Sequence, residues 1–186
     1  MDTVWDKEFI MAVWNVIQHT ELGASAATVT HGSISGSYDH LYGIISCRSD
    51  QSAYTNSIMV QFNNDTGGNY GFTDIQSANN TPSAYSQDGA TQIGYPNVPA
   101  ASALADTFGV IEYWIPHYSN TANFKPCFFK AAAPNVSTTA SQAAMKFTGA
   151  IWESTAAITE IDFTLNGGHD YVQYSTFTLY GINGAG

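Results

Sequence analysis

Hydrophobic and polar residues alternate with a period of two along much of this 186-residue chain. Tyr54, Asn56, Ile58, Val60 and Phe62 fall on one side of such a run, with Thr55, Ser57, Met59 and Gln61 on the other, the signature of a half-buried strand. Farther on, Ile161, Phe163 and Leu165 oppose Glu160, Asp162 and Thr164, and Phe177 and Leu179 oppose Thr176 and Thr178. Residues 41–47, 108–115 and 145–151 are more apolar than the alternating runs and predict central strands. Gly/Asn/Ser clusters at 34–37, 64–68 and 166–168 supply turn chemistry between the runs. The last two apolar runs, joined through residues 166–170, predict a hairpin with a longer loop. Helical runs are nearly absent. The predicted class is all-β, an antiparallel β-sandwich with Greek-key-like connections.

Two regions break the pattern. Residues 77–105 are rich in Ser, Ala, Asn, Gln and Pro and predict a long surface excursion with at most one short strand. At the N-terminus, Trp5, Phe9, Val13 and Val16–Ile17 recur at helical spacing, while Trp14, Val16 and Ile17 also suit a strand. The preferred division is an apolar arm at residues 1–11, a strand near 12–22, and a single domain over 12–186. Trp5, Phe9 and Ile10 on that arm are candidate docking residues for a neighbouring protein.

Composition supports the β reading. Only 11% of residues are charged while 44% are hydrophobic, so short neutral polar side chains cover the surface in place of the Glu and Lys of long helices. The net charge of −10 rests on five basic residues, no two adjacent. Clustered Lys and Arg are what neutralise phosphates, so nucleic acid and anionic membrane are disfavoured partners. No run approaches the length of a membrane helix. Residues 9–17 make a weak signal core, but Asp2, Asp6 and Glu8 stand where basic residues belong, which disfavours Sec export. Cys47 and Cys127 alone imply no disulfide framework.

Catalytic and metal signatures are thin. Gly32-Ser-Ile-Ser-Gly36 has isoleucine where a nucleophile elbow needs serine. The five histidines are scattered and mark no triad. Glu160 and Asp162 would stand about 7 Å apart on one strand face, near glycosidase spacing, yet they read first as a solvated face. Residues 63–69 offer oxygen ligands for calcium but lack the closing glutamate of an EF-hand, so a plain turn is expected. No enzyme, cofactor or metal is therefore expected. Glycan binding competes better, because sugars stack on exposed rings. Trp114 and Trp152 read as core, whereas Tyr85, Tyr95, Tyr118 and Tyr171 lie near predicted loops and are the candidate exposed contacts, for a glycan or an intersubunit seam.

The order of five short motifs adds a resemblance. They are Ile34-Ser-Gly-Ser-Tyr-Asp-His-Leu41, Ile58-Met-Val-Gln-Phe-Asn-Asn-Asp-Thr-Gly-Gly-Asn-Tyr70, Ile115-Pro-His-Tyr-Ser-Asn120, Ile151-Trp-Glu-Ser-Thr-Ala-Ala-Ile158 and Tyr174-Ser-Thr-Phe-Thr-Leu-Tyr-Gly-Ile182. In number and order they resemble tailed-bacteriophage virion structural proteins: decoration, tail and tail-fibre components. The match runs from about Ala12 to Ile182. The resemblance implies a jelly-roll-type β-sandwich in a virion assembled in the host cytoplasm, self-associated, with a trimer favoured. The expected role is a capsid decoration (cement) protein that binds the major capsid protein or another virion protein. The short chain, its initial methionine and the apolar arm favour this over the alternative, a tail-tip or tail-fibre module recognising a host surface glycan.

Overall fold

The computed structural model describes residues 13–78, 81–134 and 144–183. They form twelve strands and no helix: β1 (Val13–Glu21), β2 (Thr28–His31), β3 (His40–Cys47), β4 (Thr55–Phe62), β5 (Tyr70–Ala78), β6 (Thr81–Ala90), β7 (Ile93–Pro99), β8 (Gly109–Pro116), β9 (Lys125–Ala133), β10 (Ala144–Trp152), β11 (Ile161–Leu165) and β12 (Thr176–Asn183). The all-β expectation is met, with every pairing antiparallel. A large sheet runs β1-β12-β3-β8-β9-β10-β5-β6 and a small one β2-β11-β4-β7.

Four pairings are nested: β1 with β12, β2 with β11, β3 with β8, and β4 with β7. Two hairpins interrupt this scheme, β5–β6 between β4 and β7, and β9–β10 between β8 and β11. They pair with each other through β5 and β10, from Ala144↔Ala78 to Trp152↔Tyr70 without a register shift. The large sheet is therefore four nested strands widened by four inserted ones. The small sheet has only four strands, and residues 81–89 of β6 are exposed on both faces.

The inner faces of the two sheets share one core. Leu41, Ile45, Tyr113 and Phe129 from the large sheet meet Ile58, Val60, Phe62 and Phe163 from the small one. The expected alternation is present in β4, where Asn56, Ile58, Val60 and Phe62 are buried, although Met59 is buried from the other side as well. The presumed central strands β3, β8 and β10 are central in the sheet order but bury only one face.

Several sequence expectations are corrected. Residues 77–105 carry two strands, β6 and β7, rather than a surface loop. In β6 no face is buried, so no alternation exists to betray it. The predicted hairpin between β11 and β12 is a crossover: β11 lies in the small sheet and β12 in the large one. Gly167 (φ 81°) and Gly168 (φ 72°) take left-handed backbone at that passage, which glycine adopts without a Cβ clash. Strands β2, β5 and β9 also escaped the periodicity. For residues 12–22 the strand alternative holds, as β1.

The loops at one end interlock. Asn63 Oδ1 accepts from the amides of Thr159 (2.8 Å) and Glu160 (3.1 Å), and its side-chain amide donates to Ala157 O (2.8 Å). Asn63 and Asn64 hold positive φ of 52° and 56°, a conformation asparagine tolerates better than most residues. Ile34 N donates to Thr159 O and Ile158 N to Tyr118 O, both at 2.9 Å. At the other end Arg48, the only arginine of the chain, clamps a loop. Its guanidinium donates to the carbonyls of Leu104 (2.7 Å), Thr107 (3.0 Å), Ala103 (3.1 Å) and Ala101 (3.3 Å).

A buried ion pair and a buried histidine bear on stability. Lys146 Nζ lies 3.1 Å from Asp74 Oδ2, with side chains 4% and 0% exposed. Burial pushes the Lys146 pKa down, and Asp74 opposes the shift. Removing one partner of such a pair strands a charge in the interior, at a cost of about 3–5 kcal/mol, whereas replacing both with apolar residues is often neutral. Asp74→Ala is expected to lower the urea midpoint strongly, and Asp74→Leu with Lys146→Leu to restore most of it. Equal losses in the single and double variants would show that packing at the junction, not the charge, is what matters.

His31 is fully buried against Phe163. Burial lowers its pKa from 6.5 to about 4, offset in part by the Phe177 backbone. The unfolded chain thus binds a proton that the folded one refuses, so stability is intact above pH 6.5 and falls as the pH drops towards 4. The loss amounts to roughly 3 kcal/mol over that window. His31→Phe should flatten the melting temperature between pH 6.5 and 5, before carboxylates titrate. An unchanged acid slope in that variant would assign the loss elsewhere.

Candidate functional site

The outer face of the large sheet departs from the usual rule that the solvent side of an antiparallel sheet is polar. Alternation along each strand places Trp14 and Val16 of β1, Tyr180 of β12, Tyr42 and Ile44 of β3, and Trp114 and Val110 of β8 on this side. Phe128 and Ala132 of β9, Met145 and Phe147 of β10 and Ile75 of β5 continue it. Met145 is 67% exposed, Ile75 64%, Val16 60% and Trp14 51%.

Register joins these residues into a band. Tyr42 lies opposite Trp114 and Trp114 opposite Phe128. Ring centroids are 4.9 Å apart for Trp14–Tyr42, 6.1 Å for Tyr42–Trp114 and 5.7 Å for Phe128–Phe147. His40 lies 5.5 Å from Trp114 and 4.9 Å from His117, at the edge of the band. Near its centre sits an exposed ion pair, Lys130 Nζ to Glu112 Oε2 at 3.5 Å, with the ammonium 5.7 Å over the Phe128 ring. Partial burial, and secondarily Glu112, raises the Tyr42 pKa.

Where the inserted hairpins widen the sheet, the band opens into a groove of about 850 Å³. Ile75, Val110, Met145 and Phe147 wall it, with Pro82 and Ser77 at one side and the Lys130–Glu112 pair among its lining residues. Ala132 stands between Val110 and Met145 in register; its small side chain leaves the hollow that a larger residue would fill.

The predicted site residues fare unevenly. Trp5, Phe9 and Ile10 lie outside the described residues. Tyr85 is exposed on β6, its ring 6.1 Å from Phe72. Tyr95 lies in β7, and its side chain is outside what is described. Tyr118 and Tyr171 are corrections: both are fully buried. The Tyr118 hydroxyl donates to Ser35 O, and that of Tyr171 to Thr164 O at 3.1 Å. Each is a ring capped by a backbone carbonyl inside the core, and burial raises both pKa values. Trp152 is core as expected, but Trp114 is half-buried on the band. Met145, Phe147 and Val110 sit on strands whose apolar character points to a central place in the sheet and not to an exposed face, and Ile75 sits on β5, which shows no strand pattern in the sequence.

The remaining candidates are structural. Asp65, the best oxygen donor for calcium in residues 63–69, accepts from Trp152 Nε1 (2.7 Å), Asn69 Nδ2 (2.9 Å) and Gly67 N (2.8 Å). The Trp152 bond is the largest of the influences that lower its pKa. Glu160 is half-buried and accepts from Asn64, while Asp162 is buried with the Thr30 hydroxyl donating to it at 2.5 Å, so Asp162 is no part of a solvated face. Cys47 and Cys127 are free and buried. Among the described residues no three His, Cys, Asp or Glu gather as metal ligands.

Comparison with protein-family models, with curated proteins and with solved structures finds no match to this chain. The geometry itself offers binding chemistry: a wide apolar and aromatic surface with one ion pair to fix orientation. Contiguous apolar patches of this extent mark interaction sites. The native protein should therefore bind an apolar fluorescent dye, and Met145→Lys with Phe147→Asp should abolish the signal without lowering the melting temperature. Undiminished dye binding by that folded variant would place the accessible apolar surface elsewhere.

Proposed function

We propose that the chain is a non-enzymatic structural subunit of a tailed-phage particle, a capsid decoration protein that holds neighbouring virion subunits through the outer face of its large sheet. The observation that carries this reading is the apolar band with its groove. A surface that exposes Trp14, Met145, Phe147 and Ile75 together is costly to leave in water. Burying each such side chain contributes about 1.5–3 kcal/mol before ordering costs.

The virion assignment rests on the five-motif resemblance, and the nested strand pairs support its fold. First with last, second with second-last and so inward is the pairing of a jelly-roll sandwich built from two Greek keys. In this reading β5–β6 and β9–β10 are additions that widen one sheet into a docking surface. The apolar arm of residues 1–11 is a second anchor.

Particles lacking the protein provide the test. Wild-type chain should bind them at saturable stoichiometry, while folded Phe147→Asp with Ile75→Asp should lose occupancy at least tenfold. Full occupancy by that variant would sink the outer-face mechanism, and failure of the wild type to bind any capsid would sink the decoration role. One observation favours a second reading, a tail module for host glycan: His40, Tyr42 and Trp114 offer adjacent rings on which a sugar can stack. Binding to host polysaccharide that Trp114→Ala removes would select it.

A further inference from the structure

We infer that β6 is a pairing edge for a second copy of this chain, two β6 strands running antiparallel about a twofold axis so that two large sheets become one. The inference does not rest on the outer-face reading, because it concerns the backbone edge of the sheet.

The sheets end in four edge strands: β1 and β6 in the large one, β2 and β7 in the small. Exposed edges offer unpaired N–H and C=O groups, and proteins blunt them with short strands, bulges, prolines or charges. Three of the four are blunted. β1 carries a register shift between Val16 and Gln18. β2 is four residues long. β7 contains Pro96 and Pro99 and pairs irregularly with β4. β6 differs. It is ten residues long, its proline is only the second of them, and its register shift is confined to the far end, beyond Gln87. Between these, residues 83–87 pair with β5 in unbroken register and hold no charge and no proline. Both faces of this stretch are exposed, and no described strand pairs on its far side.

A second copy fits this edge better than an unlike strand, because the edge is self-complementary. An axis through Tyr85 sets Ser83 opposite Gln87, Ala84 opposite Ser86 and Asp88 opposite Pro82. The two Asp88 carboxylates then stand six residues apart, roughly 20 Å at ~3.4 Å per residue, about twice the ~10 Å screening length. For a chain of net charge −10, a contact free of facing acids is a requirement for self-association. The pairing is isologous and gives a dimer, which departs from the threefold assembly expected from the resemblance.

Single cysteines at Ala84, Tyr85 and Ser86 test the register, since buried Cys47 and Cys127 do not compete. The expected result is a dimer in sedimentation and rapid disulfide formation under mild oxidation, fastest for Tyr85→Cys. Thr28→Cys on β2 should stay uncrosslinked. Ser83→Lys with Ser86→Lys should dissociate the dimer, and Phe147→Asp should leave it intact. A monomer without cysteine-specific crosslinking, or a trimer, overturns the inference. So does a dimer that Phe147→Asp dissolves and the lysine pair leaves alone, a result that would keep the outer-face reading standing.

Discussion

Lys146 on β10 and Asp74 on β5 meet across the seam that joins the two inserted hairpins, 3.1 Å apart and out of water. Opposite charges in that position tolerate little displacement, because each is the other's compensation for lost hydration. Among the described residues no further hydrogen-bond partner of good geometry reaches the Asp74 carboxylate. The seam therefore has one register. The groove exists because that register sets Phe147 against Ile75 and Met145 against Ser77. The exposed edge at β6 exists because β6 pairs with β5 on one side and no described strand pairs with it on the other.

The molecule is asymmetric for a simple reason. Adding four strands to one sheet and none to the other creates surface faster than it creates core. The inner side of the addition is closed partly by β7, but no described strand covers the outer side. Polar residues on that side would have made it inert. Instead its walls are Met, Phe, Ile and Val, with a single ion pair whose partners neutralise each other.

What was legible in the sequence follows from the same physics. Strands with one buried and one polar face, such as β4 and β12, announce themselves by alternation. β6 has no buried face, and β10 carries apolar residues on both, so neither shows its true orientation. A tyrosine beside a turn looks exposed in the sequence, yet Tyr118 and Tyr171 fold inward; the carbonyl that caps Tyr118 comes from remote Ser35, and the one that caps Tyr171 from Thr164 on the preceding strand. The motifs behind the family resemblance turn out, four of five, to supply the interlocked loops at one end of the fold. Asn63, Asp65, Tyr118 and Trp152 all spend their polar groups there on internal bonds. Such motifs report a shared way of closing loops. They carry little information about the band, most of whose residues, Trp14, Tyr42, Trp114, Phe128, Met145 and Phe147 among them, lie outside the motifs.

The nesting of strand pairs bears on how the chain reaches this state. Closing a loop costs entropy that grows with its length, and distant pairings wait for nearer ones to shorten them. The two hairpins need only neighbouring sequence and β4 with β7 closes over one of them, whereas β1 needs β12, the last of the described strands. During synthesis, then, Trp14 and Val16 emerge long before the strand they pair with. Throughout that interval an apolar strand with an open backbone edge waits beside the growing chain, and the ribosome, or whatever shields nascent strands there, must keep it from pairing with the wrong neighbour.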